Sequence, residues 1–180
     1  MPKVTALPGV PRWAALAAHA VPLATLPSGL WRVALVAGLP VAAEPQRGAG
    51  EAAYILMLSV VSEGLALMTL GLVRGWGEVV PRWIPVIGGR PVRPLAAVVP
   101  ALSGAAALFG ILAWAFYAQS AGLGEGSGGR SGEGGVTGSV DQTAVLVACY
   151  APLIAWPPLL TAVALAYYRR RTTYASPETA

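Results

Sequence analysis

Tyr54-Ile-Leu-Met-Leu-Ser-Val-Val-Ser-Glu-Gly-Leu-Ala-Leu-Met-Thr-Leu-Gly-Leu-Val73 decides the fold class. As a helix rising about 1.5 Å per residue, this run is long enough to cross a hydrocarbon core of roughly 30 Å. Its single ionisable side chain, Glu63, falls near the middle. A carboxyl at that depth costs roughly 2.5–3.5 kcal/mol on insertion scales, which marks it as a functional candidate. The alternative is structural: a hydrogen bond to a neighbouring helix, or to a carbonyl left without its donor by Pro22.

The rest of the chain agrees with a membrane reading. Of 180 residues, 56% are hydrophobic and 11% charged, and the mean hydropathy is +0.63. A soluble domain carries about 25% charged residues. Four apolar stretches, 13–31, 53–73, 95–117 and 143–168, predict an all-α, polytopic bundle of four transmembrane helices in one domain. The first stretch contains Pro22, Pro27 and Ser28-Gly29, and residues 33–43 continue apolar beyond Trp31-Arg32. They either lengthen the first span or lie on the surface. Val41-Ala42-Ala43 would suit signal-peptide cleavage, but the length and the prolines before it argue against that.

Lys3, Arg12, Arg74, Arg82, Arg90, Arg93, Arg169, Arg170 and Arg171 fall at one set of span ends, and Arg32, Arg47 and Arg130 at the other. The bias predicts both termini in the cytoplasm and a multi-pass protein of the inner (cytoplasmic) membrane. The Gly-rich stretch 122–138 is then a flexible outer loop and 172–180 a polar tail. The net charge of +4 is spread over span ends with no aromatic-interleaved basic stripe, so no nucleic-acid partner is expected. Cys149 is alone and His19 is the only histidine, which leaves no metal site and no cofactor to expect.

On the helix around Glu63, Ser59 lies one turn earlier, giving a narrow polar stripe turned into the bundle. A neutral carboxyl in an apolar setting can act as a Brønsted acid, with His19 as a proton relay or as a hydrogen-bonding partner. Trp156 lies too deep for an interfacial belt, beside Pro157-Pro158 and near Tyr150. Trp156, Tyr150 and Tyr54 could line an apolar pocket and stabilise a cation, although ordinary helix packing explains large aromatics equally well. The connection 74–93 carries Trp76, Glu78, Arg82 and Trp83 among prolines and arginines. A Glu78–Arg82 ion pair, lipid phosphate binding or simple interfacial anchoring would each use these residues.

The segment Trp76-Gly-Glu-Val-Val-Pro-Arg-Trp-Ile-Pro-Val-Ile-Gly-Gly-Arg-Pro-Val92, with Leu58-Ser-Val-Val-Ser-Glu63 before it, resembles a signature of small actinobacterial integral membrane proteins. Size, span count and the mid-membrane acid also resemble small bacterial membrane-bound terpene cyclases. That second resemblance implies proton-initiated, metal-free cyclisation of an isoprenoid, with Glu63 as acid, Ser59 beside it and His19 receiving the final proton. Two other classes fit the residues. One is a proton-coupled exporter working as a homo-oligomer, and the other a scaffold docking through the Arg/Trp connection.

Overall fold

A computed structural model describes residues 9–42, 48–79, 88–121 and 139–173. These are helical, and an isolated bridge between Val79 and Pro91 is the nearest approach to a strand among them. Helix α1 spans Arg12–Val36, α2 Ala49–Met68, α3 Pro94–Ser120, α4 Val140–Tyr150 and α5 Trp156–Thr173. Short 3-10 turns, Thr69–Val73 and Ala151–Ala155, extend α2 and join α4 to α5.

Three of the resulting segments, Ala49–Val73, Pro94–Ala118 and Val140–Thr173, are long and apolar enough to cross a membrane. Helix α1 is long but less apolar, because His19, Thr25, Ser28 and two prolines lie within it. It packs against α2, α4 and α5. Its buried positions Ala14, Ala18, Val21, Thr25, Ser28 and Trp31 recur every three to four residues. Small side chains on that face let the backbones approach closely, as association within a bilayer requires. The opposite face, with Leu16, Leu23, Leu26 and Leu30, is exposed and apolar.

Pro22 and Pro27 do not end α1. The hydroxyls of Thr25 and Ser28 turn back onto the carbonyls of Pro22 and Thr25 at 3.0 and 2.8 Å, so both polar side chains are paired within the helix. The helix stops at a Schellman turn instead: Leu39 N–H bonds the Ala34 carbonyl at 3.0 Å, Gly38 N–H bonds that of Leu35 at 3.1 Å, and Gly38 has φ 76°. The apolar residues after Trp31 therefore lengthen the first helix to Val36. Gly89 likewise takes a positive φ, 80°.

The fourth apolar stretch is broken rather than merely bent. Pro157 and Pro158 have no N–H for the carbonyls of Leu153 and Ile154, and the turn before them tightens to 3-10 at Ala151–Ala155. Helix α4 is capped by Ser139, whose hydroxyl accepts from Gln142 N–H at 3.2 Å. Along α5, Trp156, Leu160, Val163, Ala164 and Tyr167 form one buried face. Helix α3 leans mainly on α5 and stands off from α2. Much of its remaining surface is large and apolar, including Phe109, Trp114 and Phe116, and faces outward.

Candidate functional site

Glu63 lies in the seam between α1 and α2. Thr25 Oγ1 stands 2.9 Å from Glu63 Oε2 and also 3.0 Å from the Pro22 carbonyl. Glu63 Oε1 is buried without a partner and lies 3.3 Å from where a Cβ on Gly29 would stand. A Cβ at that position would press on the carboxyl. One hydroxyl hydrogen is either shared between the two acceptors or aimed at one of them. A protonated carboxyl would donate to Thr25 Oγ1 while Thr25 donates on to Pro22, whereas a carboxylate takes the Thr25 hydrogen and leaves the Pro22 contact without one. Thr25 Oγ1 thus links the Pro22 turn of α1 to the Glu63 carboxyl of α2.

The other polar residues of this seam are occupied locally. Ser59 donates to its own helix at the Ile55 carbonyl, 3.0 Å away. His19 Nδ1 lies 2.7 Å from the Ala15 carbonyl and Nε2 3.4 Å from an Arg74 amino group. The arrangement fits an imidazole protonated at Nδ1 and accepting at Nε2. Neither side chain has a hydrogen bond to Glu63 among those described. A double-mutant cycle on Thr25→Val and Glu63→Ala is expected to give a coupling of about 0.6–1.7 kcal/mol, the range for interhelical bonds in membranes. Coupling near zero in thermal unfolding would show that the bond adds nothing to the seam.

A second site is an apolar cavity of about 580 Å³ between α2, α3 and α5. It is walled by Leu65, Met68, Thr69 and Leu72 from the α2 side and by Pro100, Ala101, Gly104 and Leu108 from α3, with Trp76, Trp156 and Leu160 completing it. It exists because α3 presents small residues, Ala96, Ala97, Ala101, Gly104 and Ala107, where α2 stands off. Trp76 is fixed by a close approach: its ring covers Gly71, 2.7 Å from where a Cβ would be. The Trp156 Nε1–H and the Thr69 hydroxyl are buried without hydrogen-bond partners. None of the described lining residues is titratable.

The structure therefore brings Trp76 and Trp156 together and leaves Glu63 elsewhere. At about 100° per residue, Glu63 points to the side of α2 opposite Leu65, Met68 and Leu72. Tyr150 belongs to the far end of the bundle. Its ring meets Trp31 edge-on at 5.6 Å, and its hydroxyl accepts from Arg32 Nε at 3.2 Å. Trp31 is 7% exposed, with the Tyr150 ring against it. Tyr54 faces outward, and Arg82 and Trp83 lie outside the described residues.

Glu78 pairs across the bundle with the end of α5. Arg170 Nη2 lies 2.6 Å from Glu78 Oε1 and Arg171 Nη1 3.9 Å from Oε2. Arg170 also donates to the Leu72 carbonyl at 3.4 Å, Arg171 to that of Val92 at 3.0 Å, and Tyr167 to that of Gly77 at 3.0 Å. Together they tie the α2–α3 connection to α5. The sequence reading missed the α3 wall, since a run of Ala and Gly carries no chemical signal, and it missed Arg170 as the Glu78 partner, which is far along the chain. No protein-family model, curated protein or solved structure matches this chain.

Proposed function

We propose a four-span inner-membrane protein with both termini cytoplasmic, which takes an isoprenoid or similarly long-chained lipophile from the bilayer into the Trp76/Trp156 cavity. The cavity itself carries this reading: it is large, apolar, aromatic at one end and free of titratable side chains among its described lining residues. Helix α1 is the fourth span, its polar residues turned to protein. The orientation follows from the arginines, with Arg74, Arg169, Arg170 and Arg171 gathered at the end where α1 begins and α5 finishes.

A chain entering between α2 and α3 would lie against indole faces suited to alkenes. Its one polar need would be an oxygen able to accept from Trp156 Nε1–H or Thr69, the donors the protein leaves unused. Ring closure by protonation would need an acid at the chain, and Glu63 sits on the other face of α2. Binding, rather than cyclisation, is therefore the reading preferred here. Glu63 favours a second reading of its own, proton-coupled movement, because Thr25 links its carboxyl to the Pro22 turn of α1.

The test uses a diazirine-bearing geranylgeranyl alcohol with the purified chain in nanodiscs. Crosslinks are expected in 65–77 and 96–108, unchanged in Glu63→Gln, with unreacted probe recovered at its original mass and retention time. Labelling spread evenly over outward faces would overturn the binding site. An isomeric product lost in Glu63→Gln would restore the cyclase.

A further inference from the structure

We infer that the Trp76/Trp156 cavity holds its lipophile in one direction, as a neutral, single-headed lipid of the leaflet on the Trp76 side. Its head oxygen meets Trp76 and its chain runs toward Leu65 and Leu108, an assignment that rests on the lipophile binding proposed for that cavity.

The cavity runs along the membrane normal. Its α2 wall passes from Leu65 through Leu72 to Trp76, and its α3 wall from Ala96 to Leu108. Trp76, Gly77, Val92 and Ala96 share one end, and Leu65 and Leu108 stand at the other. Charges mark the first end as the membrane surface. Arg74 and Arg93 are exposed there, and α5 brings its terminal arginines to the same level, where Tyr167 and Arg170 bond Gly77 and Glu78. The second end is deep. Leu108 stands near the middle of the 27 residues of α3, about 21 Å from Pro94, against a hydrocarbon core of roughly 30 Å.

A cavity that leads from the surface to the bilayer centre gives its ligand a direction. A hydroxyl carried to the deep end would lie unpaired among Leu65, Gly104, Ala107 and Leu108, whereas at the surface end water and a protein donor are within reach. The apolar chain fits the deep end without that cost. None of the described lining residues is titratable, so nothing in the lining compensates a charged head.

Trp76 supplies the donor. Its side chain lines the cavity and is 44% exposed, so it has surface open to a ligand. The ring atoms packed over Gly71 are Cη2, Cζ3 and Cε3, the edge remote from Nε1. The N–H edge is turned away from that contact, and among the described residues no hydrogen bond engages it. An indole N–H only donates, so the head it takes must offer an acceptor, a hydroxyl or carbonyl oxygen. The backbone holds the ring in place. Gly77 is pressed against the Gly71 carbonyl, and its own carbonyl accepts from the Tyr167 hydroxyl at 3.0 Å.

Two geranylgeranyl alcohols test the direction in the full chain in nanodiscs, one with a diazirine beside the hydroxyl and one with it at the far end of the chain. The first is expected to place at least about fivefold more label in 71–77 and 92–97 than in 104–108, the low end of the cost of burying an unpaired hydroxyl, and the second the reverse. Competition against the first probe by geranylgeraniol, and by the same chain lacking the hydroxyl, tests the donor. Trp76→Phe should weaken the alcohol roughly two- to tenfold and leave the hydrocarbon unchanged. Reversed labelling, or the same pattern from both probes, would overturn the direction, and it is read on the wild type whether or not the variant folds. An alcohol that competes equally well in Trp76→Phe, or two competitors weakened alike, would overturn the Trp76 contact. Label from both probes spread over outward faces would instead remove the cavity as the binding site, and the direction with it.

Discussion

Replacing Gly104 with phenylalanine is expected to cut occupancy of the cavity by a geranylgeranyl probe roughly 5- to 150-fold while leaving thermal stability unreduced. Gly104 lines the cavity on α3, and a Cβ built on it meets nothing within 4 Å. The added ring has no neighbour to displace except a bound chain. Forcing a side chain into occupied space costs typically about 1–3 kcal/mol, which is that range in occupancy. Stability gains slightly if it changes at all, because glycine in a helix interior is about 0.8–1 kcal/mol worse than alanine and most residues fall between the two. Photolabelling and melting temperature measured on the same preparation separate the two effects. Unchanged labelling at unchanged stability would mean that the chain binds elsewhere.

Glu78→Ala is expected to be the most destabilising single change at the end where α5 finishes, by about 3 kcal/mol. The carboxylate faces Arg170 at 2.6 Å and Arg171 at 3.9 Å, and Arg170 is nearly enclosed. Removing one member of a buried pair leaves the other charge without compensation, at about 3–5 kcal/mol. The lower figure applies because Glu78 keeps 24% of its side-chain surface in solvent. Glu78→Gln should lose less, since an amide oxygen still accepts from Arg170. Arg169→Gln should change stability by under about 0.5 kcal/mol, as exposed substitutions usually do. Thermal unfolding in detergent of the three variants gives the ranking. A Glu78→Ala loss below about 1 kcal/mol would place the pair among solvated surface bridges.

Both results turn on neighbours that the chain order does not announce. Arg82 lies outside the described residues, and Glu78 pairs with Arg170, 92 residues further along the chain. Trp156 and Trp76 share a cavity because Gly71 lets the Trp76 ring lie flat on the end of α2 and α3 keeps its distance. Tyr150, six residues before Trp156, ends up on Trp31 because the 3-10 turn before the prolines separates α4 from α5.

Composition and run length alone determined that the chain is helical and that its apolar stretches are long enough to cross a bilayer. Both are local properties, set by the need to satisfy backbone hydrogen bonds and hide them in apolar side chains. Glu63 stood out for the same local reason. Tertiary structure alone decided that α1 packs against α2, α4 and α5, that Glu63 meets Thr25 and faces away from the cavity, and that Arg170 closes on Glu78. Helix rotation and partner choice come from side-chain packing summed over the whole bundle. A single carboxyl in an apolar run states its cost, and the neighbouring helices decide how that cost is met.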